Sequence, residues 1–121
     1  MSTETVDRSP PLRARLRAAL PAAMKSRDRH AAAAVRSALG AIDNAEAIEI
    51  GDARAGAIED SVAGLGGAEV ERRQLSEADI QGIVRAEIAE RLTSAASYDE
   101  LGRADRGEVL RAEADALIAL L

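Results

Sequence analysis

LSEADIQGIVRAEIAERLTSAASYDELGRADRGEVLRAEADALIALL, residues Leu75–Leu121, is the stretch whose reading decides the fold. Ser76 followed three residues later by Asp79 has the form of a capping box, and Leu75 and Ile80 stand where a hydrophobic staple clamps the entering chain. A helix is therefore expected to begin at Ser76. From there Ile80, Ile83, Val84, Glu87, Ile88, Arg91, Leu92, Ala95 and Tyr98 recur at three- and four-residue spacing, which predicts one core-facing stripe with Arg85, Glu90 and Glu100 turned to water. Gly102, able to take positive φ, is the expected stop. Asp105 with Glu108 repeats the capping logic, and Leu110, Ala114, Leu117 and Leu121 predict the stripe of a following helix.

Working back toward the N-terminus, Pro10 and Pro11 suit a helix entry, and Leu12, Leu16, Leu20 and Met24 are spaced four apart. Pro21 falls inside that pattern, where it removes a backbone donor at a cost of about 3 kcal/mol, so a kink or break is expected there. Asp28 is placed to cap a second helix through Ala31, Val35, Leu39 and Ile42, ending near Ile48 or Ile50 at Gly51. Between Gly51 and Gln74 the periodicity dissolves among Gly51, Gly56, Gly64, Gly66 and Gly67, although Ala57 to Ala63 is compatible with a short helical turn. The expectation is an all-α four-helix bundle: residues 1–11 disordered, a single helical domain over 12–121, and a long flexible connection over 51–74 between the second and third helices.

Composition narrows the chemistry. Of the 121 residues, 28 are Ala, with one Tyr and no Phe or Trp. Such helices approach closely but bury little area each, at about 25 cal/mol per Å² of apolar surface, which predicts modest stability or a surface shared with a partner. The absence of Cys removes disulfides, thiolate nucleophiles and cysteine metal sites. No segment approaches the ~20 apolar residues of a membrane span, and Met1 to Pro11 lacks the apolar run of a signal peptide, so a soluble cytoplasmic protein with no membrane partner is expected.

The net charge of −5 is unevenly spread. Residues 1–37 carry eight basic side chains (Arg8, Arg13, Arg15, Arg17, Lys25, Arg27, Arg29 and Arg36) against three acids (Glu4, Asp7 and Asp28). Either oppositely charged helix faces complement one another within the bundle, or the basic third is a nucleic-acid footprint.

No catalytic constellation is apparent. Gly64-Leu65-Gly66-Gly67 lacks the Gly-Lys-Ser/Thr ending of a phosphate loop, and His30 has no second His or Cys with which to build a metal site. No serine stands in a nucleophile-elbow sequence. Glu87 and Arg91 form the cleanest i, i+4 ion pair, within the core-facing stripe. Neither a cofactor nor a metal is expected.

Several of these residues also form an ordered pattern: Ala23-Met24-Lys25 then Arg27-Asp28; Val35-Arg36, Ala41-Ile42 and Asn44-Ala45-Glu46; and Leu75-Ser76 through Glu87, Arg91, Ser94, Tyr98, Gly102-Arg103 and Asp105 to Glu108, Glu113 and Leu117. The set resembles the GatB/YqeY family, small all-helical proteins similar to the helical and tail region of the B subunit of the glutamine-dependent aminoacyl-tRNA amidotransferase. The resemblance implies a YqeY-like N-terminal bundle without the second, smaller C-terminal bundle that family members commonly carry. It also implies a link to carbon–nitrogen ligation with glutamine as amide donor, with tRNA or amidotransferase subunits as partners. The full reaction needs a glutaminase site and an ATP-dependent activation site; with no Cys, no amidase-like Ser-Ser-Lys set and no nucleotide loop, the chain is not expected to be the whole enzyme.

Two functional classes follow. One is a non-catalytic module associated with tRNA or the amidotransferase machinery, with Arg13, Arg17, Lys25 and Arg36 on phosphates. The other is a structural adaptor that binds another protein or itself through its Ala-rich helices. The polar residues matching the family pattern are Arg36, Asn44, Glu46, Glu87, Arg91, Tyr98, Arg103 and Asp105. Their simplest role is to staple helices together, with Tyr98 as a buried ring whose hydroxyl is bonded.

Overall fold

The computed structural model describes residues 9–60 and 75–121, with backbone alone over 49–60. Four helices follow in order, α1 (Leu12–Ser26), α2 (Arg29–Asp60), α3 (Glu77–Glu100) and α4 (Ala104–Ile118), and no strand occurs among the described residues. They form two helical hairpins, α1–α2 and α3–α4. The hairpins join mainly where α4 lies against α2, with lighter contacts of α3 on α2 and α1.

The capping box at Ser76 forms as the sequence predicts: the Asp79 N–H donates to Ser76 Oγ at 3.0 Å, and the Ser76 N–H donates to Asp79 Oδ2 at 3.1 Å. Ile80 is buried and Leu75 packs against the same core. The start of α1 is finished from outside its own sequence. Pro11 has no side-chain cap to offer, and the Leu12 N–H donates instead to Glu77 Oε1 at 3.0 Å, so the first turn of α3 satisfies an orphan donor of α1. Of the 1–11 segment expected to be disordered, Ser9 to Pro11 are part of the described structure, with Arg15 donating to the Pro10 carbonyl, while residues 1–8 lie outside the described residues.

Both hairpin turns close with the same device. At the end of α3 the Gly102 N–H reaches Asp99 O at 3.1 Å and the Arg103 N–H reaches Tyr98 O at 2.7 Å; at the end of α1 the Arg27 N–H reaches Met24 O at 3.2 Å and the Asp28 N–H reaches Ala23 O at 2.9 Å. This Schellman pairing needs a left-handed residue, supplied by Gly102 at φ 75° and by Arg27 at φ 59°. A side chain at that φ costs energy that glycine avoids. Arg27→Gly is therefore expected to stabilise the fold by about 1 kcal/mol, read as a higher urea midpoint at unchanged slope. A lower midpoint would mean that the Arg27 side chain contributes more than its backbone strain costs.

Asp28 then caps α2 as expected, accepting from the Ala31 N–H at 3.0 Å. Asp105 does not act in the same way. The turn ends at Arg103, α4 begins at Ala104, and Asp105 falls in the first helical turn. There its carboxylate accepts from Arg103 Nε at 3.3 Å. That hydrogen bond, and then one from the Arg106 backbone, hold its carboxyl below the usual Asp range.

Three further expectations are corrected. Pro21 does not break α1, which runs unbroken from Leu12 to Ser26. Gly51 does not end α2, which continues to Asp60. An interior glycine costs only about 1 kcal/mol against alanine, and Asp52-Ala53-Arg54-Ala55 offers no competing stop, so propagation prevails over termination. The expected 51–74 connection is thus helical over 51–60, while 61–74, including the Gly64–Gly67 cluster, lie outside the described residues. Finally, Met24, Leu92 and Leu121 are exposed, although the spacing put each on a core stripe.

The core consists of Leu12, Leu16, Ala34, Val35, Ala38, Ile42, Ile80, Val84, Ile88, Ala114 and Leu117, all buried, with Leu20, Leu39, Ile83 and Leu120 packed around them. No helix among the described residues is long and apolar enough to cross a membrane.

Candidate nucleic-acid interface

Polar side chains divide into those used inside the bundle and those left on its surface. The first set centres on Arg91. Its Nε donates to Glu113 Oε1 of α4 at 3.0 Å, and its Nη1 reaches Glu87 Oε1 at 3.3 Å and the Glu87 carbonyl at 3.1 Å. Glu87 Oε1 in turn accepts from Ser37 Oγ of α2 at 2.6 Å. One guanidinium thus ties three helices, with only 11% of the Arg91 side chain exposed. Sequence spacing identifies Glu87 and Arg91, but Ser37 and Glu113 lie on other helices and no local signal points to them.

A second internal link joins α1 to α2. Arg13 forms an ion pair with the buried Glu46. Arg13, expected on a phosphate, is thereby committed within the fold, and Glu46 acquires a partner that its place in the family pattern did not suggest. Arg15 fastens α1 to the other hairpin through the main-chain oxygens of Leu120 at 2.9 Å and Leu121 at 3.5 Å. At the α3–α4 turn, Arg111 pairs with Asp99 at 2.7 Å, and Arg106 lies 5.7 Å from the centroid of the Tyr98 ring. Tyr98 is half-buried rather than buried, and its hydroxyl has no hydrogen bond among the described residues. Arg103 and Asp105 sit exposed at this junction, and Asn44 is exposed on α2.

Of the cations outside these pairs, Lys25, Arg27, Arg29 and Arg36 lie toward the turn end of the α1–α2 hairpin, while Arg17 stands farther back along α1 and Arg85 is exposed on α3. Arg17, Lys25, Arg27, Arg29 and Arg36 are exposed, and none pairs with a carboxylate among the described residues. Three of them, Arg27, Arg29 and Arg36, surround a hollow of about 490 Å³ completed by Ala23, Met24, Asp28 and Ala32. Arg36 donates to Met24 Sδ at 3.5 Å. The Asp28 carboxylate, the one acid in the hollow, already accepts the capping N–H of Ala31. His30 is exposed beside it and, with Arg27, Asp28 and Arg29, lines an adjoining recess of about 330 Å³. Sequence reasoning named Arg36, Lys25 and Arg17 but not Arg27 and Arg29, which became visible only once the turn brought the end of α1 beside α2.

Among the described residues no group of three or more His, Asp or Glu is gathered so as to hold a metal ion. Comparison with family models, with curated proteins and with solved structures finds no match to this chain. The surface chemistry therefore carries the functional reading.

Proposed function

We propose that the chain is a non-catalytic, cytoplasmic helical module that associates with tRNA or with the tRNA-dependent amidotransferase machinery through the cationic end of its α1–α2 hairpin. The observation that carries this reading is the sorting of the arginines. Arg13, Arg91, Arg103 and Arg111 have carboxylate partners, whereas Arg27, Arg29 and Arg36 gather around one hollow, with Lys25 next to Met24 in α1, and none of these four has such a partner among the described residues. Uncompensated guanidiniums favour phosphate oxygens, which they can bind in bidentate fashion. A net charge of −5 over the whole chain disfavours non-specific adhesion to a polyanion. The resemblance to the GatB/YqeY family selects tRNA among the polyanions.

Labelled bulk tRNA should bind the purified protein saturably at low salt and weaken as salt rises, because each neutralised phosphate releases counterions. Charge reversal at two exposed positions, Arg29→Glu with Arg36→Glu, should reduce affinity by roughly tenfold or more and flatten the salt dependence. Arg13 is not the residue to test, since its loss would also strand Glu46. If no binding occurs even at low salt, the reading fails, and protein partners, beginning with the amidotransferase subunits, become the object of the search.

A further inference from the structure

We infer that the hollow framed by Met24, Arg27, Arg29 and Arg36 takes one unpaired nucleotide, so that the RNA recognised here is single-stranded at the point of contact rather than duplex; this rests on the polyanion reading above. Charge alone would not favour one form over the other. The distinguishing feature is an apolar floor at the centre of the charge. Met24 is 55% exposed, although α1 buries Leu12, Leu16 and Ala23 on its inner face, and Ala23 and Ala32 continue the floor beneath it. A duplex presents a ridge of phosphates to a protein surface and has no use for an apolar patch between the cations. An unpaired nucleotide brings both a phosphate and a flat apolar base, and unpaired bases are what proteins read in RNA.

The size and chemistry of the hollow agree with that occupant. Its volume of about 490 Å³ lies within the range of small-molecule sites, about 300–1,000 Å³. Base platforms are usually aromatic, but this chain has no Phe or Trp, and its one Tyr, Tyr98, already lies against Arg106. Guanidinium planes also stack on bases, and a thioether adapts its shape to an apolar face. Arg36, which donates to the Met24 sulfur at 3.5 Å, sets these two groups side by side. Arg27 and Arg29 flank them across the turn, with the Asp28 carboxylate already engaged by the Ala31 N–H. The site would hold the phosphate among the three guanidiniums and the base over Met24 and Ala32.

The test uses the full chain with two probes, a mixed-sequence single-stranded RNA oligonucleotide and the blunt duplex formed with its complement, followed by fluorescence anisotropy at low salt. The single strand should bind more tightly than the duplex. Met24→Ala should weaken the single strand by roughly tenfold, the order of losing one stacked base, and leave duplex binding unchanged. Met24 is exposed, so the variant should keep its circular dichroism spectrum and urea midpoint. Arg36→Lys, which keeps the charge but not the planar group, should weaken the single strand more than the duplex, since it removes stacking as well as bidentate phosphate contact. Duplex binding as tight as single-strand binding, or a Met24→Ala variant indistinguishable from the parent, would overturn the inference and leave the polyanion reading in place. Absence of binding to either probe would overturn both.

Discussion

Leu117→Ala is expected to cost about 2–5 kcal/mol, the range for truncating a fully buried leucine, while Leu92→Ala should change stability by less than about 0.5 kcal/mol. Both leucines belong to apolar stripes predicted from sequence, but Leu117 is 0% exposed and Leu92 43% exposed. The loss at Leu117 weighs heavily because, among the described residues, so few large side chains are fully buried: Leu12, Leu16, Ile42, Leu117, Val35 and Val84. Alanine fills much of the remaining interface, and a core of small residues has little with which to refill a void. Leu117 also lies on α4, the helix that packs against both its hairpin partner α3 and the opposite hairpin through α2. With a total stability of about 5–15 kcal/mol for a typical domain, the variant would be unfolded at low urea concentrations. Urea titration followed by far-ultraviolet circular dichroism should show a lower midpoint at unchanged slope. Equal effects at the two positions would mean that the hairpins do not share one core.

The contrast between these leucines shows where sequence periodicity was sufficient and where it was not. An α-helix turns 100° per residue, so a four-residue spacing drifts by about 40° at each step. Taken from Ile80, Leu92 lies about 120° around α3, whereas Arg91 lies about 20° around it. The buried set of Ile80, Val84, Ile88 and Ala95 is centred between these directions, nearer to Arg91. The polar residue therefore turns inward and the leucine outward. In α1 the same drift carries Met24 off the face that begins at Leu12, and Ala23 takes its place in the interior. Strong local signals, by contrast, were decisive: Ser76 with Asp79, Asp28 and Gly102 each end or begin a helix where the sequence placed them. Gly51 misled because a glycine acts as a stop only when the chain beyond it abandons helical geometry, and residues 52–60 do not.

The candidate site was less legible than the fold, for a physical reason. Charge asymmetry identified the basic third of the chain, but which cations remain free depends on partners far away in sequence. Arg13 is removed from the surface by Glu46, and Arg15 by Leu120 and Leu121. Arg27 and Arg29 enter the hollow with Arg36 only because a left-handed residue folds α1 back onto α2. Complementary charges thus pair within the bundle, as one reading of the charge pattern expects, while Lys25, Arg27, Arg29 and Arg36 stay outside those pairs.

Arg91→Met should be among the most damaging single substitutions outside the apolar core, with an expected loss of about 3 kcal/mol, the lower end for breaking a buried ion pair since water still reaches the edge of the site. The guanidinium donates to Glu113 of α4 and to the carboxylate and carbonyl of Glu87, and Ser37 of α2 completes the chain through Glu87. Without it, two carboxylates remain close together in surroundings where their side chains are only 15% and 17% exposed. The damage should therefore come more from stranded charge than from a lost attraction. Glu87→Gln with Glu113→Gln in the Arg91→Met background removes that charge and should recover most of the stability, because a neutral substitute for a buried ionic cluster is often nearly as stable as the cluster itself. Urea midpoints of the parent, Arg91→Met and the triple variant would decide the matter. A triple variant no more stable than Arg91→Met would mean that the directional hydrogen bonds, rather than charge compensation, hold α2, α3 and α4 in register.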